Sequence, residues 1–221
     1  MTPSARLAAF GERISSFEPD RFSAPRWLAL YASGIATADP GLQEEIVVRC
    51  NRLAIERGVL YEVVLQSYLF LGFPRMLIAA EILDRMLPGN SRQSMEQMIA
   101  GNEMTQWYEN GLALCKRVYG DSFEPLRARV GALAPEIFHW MILEGYGKVL
   151  SRPGLGPVER ELANVAMLMI DDREQQLHSH MRGALNVGAS PELLKLVVDD
   201  LAELADGYST AQQLLARLKV I

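Results

Sequence analysis

Cysteine is nearly absent from this 221-residue chain: Cys50 and Cys115 stand far apart, and no Cys-x-x-Cys occurs. A secreted disulfide scaffold carries more cysteines, so a reducing, cytoplasmic setting is expected. Basic clusters are missing too. The net charge is −5, and nothing resembles the lysine- and arginine-rich face that a nucleic-acid partner demands. No apolar run approaches membrane-spanning length, since the longest candidate, LQSYLFLGF, stops just before Pro74. The N-terminal MTPSARLAAFGERISSFEPDRF interrupts its apolar residues with charges and offers no secretory core. Sustained apolar/polar alternation is also lacking, which argues against sheet.

What the chain has is helical period. Leu42, Ile46, Cys50, Leu53 and Ala54 fall on one face, as do Leu162, Val165, Ala166 and Met169, then Leu177, Met181, Ala184 and Leu185. Turn signals separate the segments: Asp39-Pro40-Gly41, Pro88-Gly89-Asn90, Arg152-Pro153-Gly154 and Gly188-Ala189-Ser190-Pro191. Ser190 followed by Pro191 reads as an N-cap with proline in the first helical position. Hydrophobic residues at 49% and charged residues at 22% suit a globular protein, and ten methionines suit irregular helical cores. The expected fold class is all-α.

The two halves resemble one another. Arg26-Trp27-Leu28-Ala29 is similar to Arg160-Glu161-Leu162-Ala163, and Gly72-Phe73-Pro74 to Gly207-Tyr208-Ser209. Cys50 stands eight residues before Gly58, as His180 stands eight before Gly188. This pairing makes the first copy four residues longer between its Arg and its Gly. Trp27 and Cys50 then become the counterparts of Glu161 and His180. Two diverged copies are expected, 1–92 and 93–221, with the chemistry confined to the second.

The pair Glu161 and His180 is the leading candidate site. Both border apolar helical faces, and a partly buried carboxylate beside an imidazole suits proton transfer, worth about 100- to 10,000-fold in rate. Each also has a plain structural explanation. A histidine at a face edge is commonly just hydrogen-bonded, and Glu161 lies in a first turn that favours carboxylates. Arg173 belongs to the polar run Asp171-Asp172-Arg173-Glu174, and there a solvated ion pair competes with substrate binding. His139 and Trp140 are expected in core or interface packing, with a place at a pocket mouth as the alternative. His178 and His180 diverge on a helix and do not form a metal pair.

Three segments of the second half resemble the carboxymuconolactone decarboxylase family, which shares its fold with the alkylhydroperoxidase D-like proteins. They are Glu109-Asn110-Gly111-Leu112 with Val118-Tyr119-Gly120-Asp121, then Gly145-Tyr146-Gly147 with Arg152-Pro153-Gly154-Leu155 and Arg160, then His180-Met181-Arg182-Gly183-Ala184-Leu185-Asn186 with Gly188. The resemblance spans residues 104–218 and implies a helical bundle that assembles into homo-oligomeric rings, trimers or hexamers. In the alkylhydroperoxidase D-like branch a Glu, a Cys-x-x-Cys and a His recur. Glu161 and His180 match the Glu and the His, while Arg173 and Gln176 stand where the cysteines would be. Without thiols the peroxidase route has no nucleophile. The resemblance therefore implies decarboxylation, or related lyase or isomerase chemistry, on a small carboxylated or lactone substrate. His180 and Glu161 would handle protons, Arg173, Arg152 and Gln176 would bind substrate, and neither metal nor cofactor would be required. The alternative is a non-catalytic oligomeric assembly or binding protein of the same fold. An alkylhydroperoxidase-type reductase ranks below both.

Overall fold

A computed structural model describes residues 24–89 and 103–220, together with Ala5, Ala8, Ala9 and Glu12. Every regular element among them is helical, as expected. In chain order these are α1 (Ala24–Thr37), α2 (Pro40–Arg52), α3 (Arg57–Met86), α4 (Glu103–Tyr119), α5 (Phe123–Leu133) and α6 (Pro135–Trp140). A π-helical stretch, Met141–Leu150, continues α6. Then follow α7 (Pro157–Ile170), α8 (Glu174–Val187), α9 (Pro191–Asp200) and α10 (Tyr208–Arg217).

The turn signals sit at helix ends for identifiable reasons. Asp39 caps α2 by accepting from the Leu42 amide at 3.0 Å, with Pro40 in the first turn. Ser190 caps α9 through the Leu193 amide at 3.1 Å, with Pro191 following. Pro74 does not end its segment. Gly72 adopts φ 76°, ψ 166°, and α3 kinks there and continues to Met86. By length and composition α3 is therefore apolar enough to cross a membrane, with a mean hydropathy of 1.5 over its best window. The expectation that no segment reaches that length is corrected at this helix. Within the fold, however, α3 buries Glu62 and Gln66 against α7.

Helix α7 is the axis of the molecule. Sequence period predicted one apolar face, yet every residue from Arg160 to Met169 is buried. Helix α1 lies along it, and α8, α3 and α9 also pack on it. The main core joins Trp27, Leu30, Ile35, Ile46 and Val63 of the first half to Leu162, Val165, Met169, Met181 and Leu214 of the second. A second cluster, including Cys115, Phe123, Phe138, Ile142 and Tyr146, forms where α4 meets the π-helical stretch. Side chains at Gly111 or Gly147 would run into the Ile142 and Trp107 carbonyls respectively, so glycine lets these backbones touch. The expected boundary between residues 92 and 93 lies outside the described residues, and the halves on either side of it share the main core.

The ends of the helices follow a different spacing from the pairing read in sequence. Helix α1 is followed by Ala38 at φ 55°, and α7 by Asp172 at φ 49°. Helix α2 closes at Ala54 (φ 56°), where the Ile55 amide donates to the Cys50 carbonyl at 3.0 Å. Helix α8 closes at Gly188 (φ 112°), where the Ala189 amide donates to the Ala184 carbonyl at 2.8 Å. These pairs, 38 with 172 and 54 with 188, are each 134 apart, as are Arg26 and Arg160. No four-residue excess remains. On this register Ile46, not Cys50, corresponds to His180. Gly58 stands in the first turn of α3, whereas Gly188 closes α8.

Candidate functional site

Helices α7 and α8 bring Glu161 and His180 together. His180 Nδ1 lies 2.8 Å from Glu161 Oε2, and the two residues are 7% and 2% exposed. The close approach depends on Gly183, one turn after His180. A Cβ there would stand 2.7 Å from Glu161 Oε2 and 2.7 Å from Val118 Cγ1. Phe70 of α3 meets the imidazole edge-on, its centroid 5.2 Å away. His180 Nε2 receives no hydrogen bond from the described residues. A carboxylate that fixes one ring nitrogen leaves the other available to accept or deliver a proton.

Polar contacts extend from the pair through the interior. Asn164 Nδ2 donates to Glu161 Oε1 at 3.3 Å, and Gln66 Nε2 donates to Asn164 Oδ1 at 2.9 Å. Arg160 donates to Gln66 Oε1 at 3.0 Å and to Glu62 Oε2 at 2.9 Å. Arg152 also grips Glu62, with Nη2 3.0 Å from Oε1. Burial lowers the pKa of Arg160, and Glu62 opposes that shift. A buried charge is tolerated when it is paired in this way.

Three further groups surround Glu161 on the side of α4. Cys115 is pushed up to about 12 by burial and by the Glu161 charge. Tyr119 is raised to about 12 mainly by burial, and Tyr146 well above its usual value, with Glu161 contributing to both. Tyr119 also lines a cleft of about 230 Å³ with Val118, Ser122, Arg129, His178 and Arg182. Neither Arg129 nor Arg182 has a carboxylate partner among the described residues. Partial burial, then Arg182 and Arg217, lower the pKa of His178 against an opposing pull from Glu174, and no carboxylate is among the residues that line the cleft. Val118, which lines this cleft, and the Glu161 carboxylate flank the same Gly183 position.

The remaining expected site residues are placed elsewhere. Arg152 is committed to Glu62 and reaches the pair only through the interior network. Arg173 is exposed and bonds Asp171 at 3.2 Å, and Gln176 faces outward. No hydrogen bond joins either of them to Glu161 or His180 among the described residues. His139 stacks on Tyr108 with centroids 6.1 Å apart, but it and Trp140 are exposed rather than core. Cys50 is buried and raised to about 12, largely by burial, so it is no thiolate at neutral pH. Among the described residues no group of three or more His, Cys, Asp or Glu side chains is placed to hold a metal ion.

Sequence reasoning missed Glu62, Gln66, Asn164, Gly183 and the Cys115/Tyr119/Tyr146 group. A signal existed for some of them. Glu62, Gln66 and Phe70 recur every four residues, and Arg160, Glu161 and Asn164 interrupt an otherwise apolar helix.

Residues 135–219 match the model of the Carboxymuconolactone decarboxylase family, which agrees with the resemblance read from the motifs over much of its span. The match takes in the π-helical stretch and α7 to α10, including Glu161 and His180. No curated protein matches the chain.

Proposed function

We propose that this chain, on the premise that its C-terminal part is of the carboxymuconolactone decarboxylase family, performs acid/base chemistry on a small carboxylated or lactone substrate. The single observation that supports this most is the 2.8 Å contact between two buried side chains that leaves Nε2 of His180 open. Loss of CO₂ from an activated carboxylate leaves electron density on carbon that a positioned acid must protonate. His180 first takes up a proton at Nε2, giving an imidazolium that Glu161 holds and stabilises, then delivers it to that carbon and returns to the imidazole with hydrogen on Nδ1. No step requires a thiol.

With Arg152 and Arg173 bound to carboxylates of the chain itself, the cations that line the adjoining cleft among the described residues, Arg129 and Arg182, are the candidates to hold a substrate carboxylate. Arg182 leads, because it precedes Gly183 and is held toward the cleft by Ser122 at 3.4 Å. Incubation with 4-carboxymuconolactone, following CO₂ release and lactone loss, tests the activity. Arg182→Ala should raise KM about 10- to 100-fold, since a charge-assisted bond contributes roughly 1.5–3 kcal/mol. Absence of CO₂ release, or an unchanged KM in that variant, would count against the corresponding part of the proposal.

Two structural proposals accompany this reading. The recurrence at an offset of 134 residues supports a duplicated helical unit, 24–86 and 157–217, with α4 to the π-helical stretch between the copies. The chain is also proposed to act as a trimer or hexamer, which sedimentation velocity would report directly.

A further inference from the structure

The buried polar chain beneath the pair has a direction that chemistry fixes at both ends. Arg160 can only donate, so the group of Gln66 facing its guanidinium at 3.0 Å must be the oxygen. The Gln66 nitrogen then donates twice, to the Arg160 backbone carbonyl at 3.1 Å and to Asn164 Oδ1 at 2.9 Å. With its oxygen engaged, Asn164 must present its nitrogen to Glu161 Oε1. An ionised carboxylate only accepts, so the proton of the next contact belongs to His180 Nδ1. Arg160, Gln66 and Asn164 are at most 1% exposed, so bulk solvent does not compete for these contacts.

We propose that Gln66, supplied by the first half of the chain, is a positioning residue: it turns the Asn164 amide so that an N–H meets Glu161 Oε1, which keeps Glu161 an acceptor and so holds the His180 hydrogen on Nδ1 and the lone pair on Nε2. The first half thereby gains a role in the site although Trp27 and Ile46, which stand 134 residues before Glu161 and His180, have no titrating side chain. Glu62 and Arg152 anchor the chain by holding the Arg160 charge in place. The significance for activity rests on the acid/base reading of His180, while the tautomer itself does not.

The test is ¹⁵N NMR of the imidazole nitrogens of the intact protein above neutral pH, with the His180 signals assigned by their loss in His180→Ala. The wild type should show a protonated, pyrrole-type Nδ1 and a pyridine-type Nε2. Gln66→Glu keeps the volume and the Arg160 contact but cannot donate to Asn164. It should turn that amide round and set its oxygen against Glu161 Oε1, which favours a protonated Glu161 able to donate to Nδ1, and the single-tautomer signature should be lost. Gln66→Met, which removes the donor without adding charge, should do the same and serves if Gln66→Glu does not fold. A wild-type Nε2–H tautomer, or an unchanged spectrum in a folded Gln66 variant, overturns the proposal. The expected tautomer without turnover of lactone leaves this inference standing and defeats the proposed activity. Turnover that depends on His180 with the opposite tautomer does the reverse. If the protein turns over, Gln66→Glu should lower kcat and leave KM unchanged.

Discussion

Among single residues, Gly183 carries the most geometric constraint at the pair. Adding a methyl group there improves helix propensity by about 0.8–1 kcal/mol. The same methyl lies 2.7 Å from both the Glu161 carboxylate and Val118, and overpacking of that kind costs about 1–3 kcal/mol. The clash should win. Gly183→Ala is expected to lose about 1 kcal/mol by urea unfolding and to displace His180 from Glu161, whereas a gain in stability would show that α7 and α8 can part without cost. Glu161 and His180 themselves were legible in sequence because each flanks a clear apolar helical face. The polar run around Arg173 already offered the ion pair with Asp171 that the fold forms, whereas at Arg152 the sequence shows a cation but not the carboxylate holding it. Glu62 lies 90 residues before Arg152, and no local pattern announces that partnership.

At the scale of elements, helix ends say more than helix middles. Ala54 and Gly188 close α2 and α8 in the same left-handed conformation, but Ala54 bears a Cβ there. Left-handed backbone costs a non-glycine residue roughly 1–2 kcal/mol. Ala54→Gly should therefore raise the urea midpoint, by about 0.5–1 kcal/mol in stability, and Gly188→Ala should lower it. Opposite responses would undo the equivalence of the two turns. The helices were predicted from period and caps. Two features were not, and both have tertiary causes. Helix α7 looked one-sided because its polar residues, Arg160, Glu161 and Asn164, pair with α3 and α8 out of sight of water. Helix α3 passed its proline because Gly72 took up the bend.

At the scale of the molecule, both described halves share the main core, with the candidate site on the C-terminal side and its interior support reaching into the N-terminal side. Its buried thiols give the fold a pH response. Cys50 and Cys115 are raised from their ordinary value of 9 to about 12, so the folded state holds protons that the unfolded state releases. This stabilisation is complete below pH 9 and is lost as pH climbs from 9 toward 12. Urea midpoints measured across that range should fall, and Cys50→Ser should fall less steeply. The most direct test of the account is turnover of 4-carboxymuconolactone by the wild type and by His180→Ala. Loss of His180 with the fold intact is predicted to lower kcat about 100- to 10,000-fold, the usual weight of a positioned acid or base. Equal rates in the two proteins would contradict the central claim that proton transfer at His180 is what this molecule does.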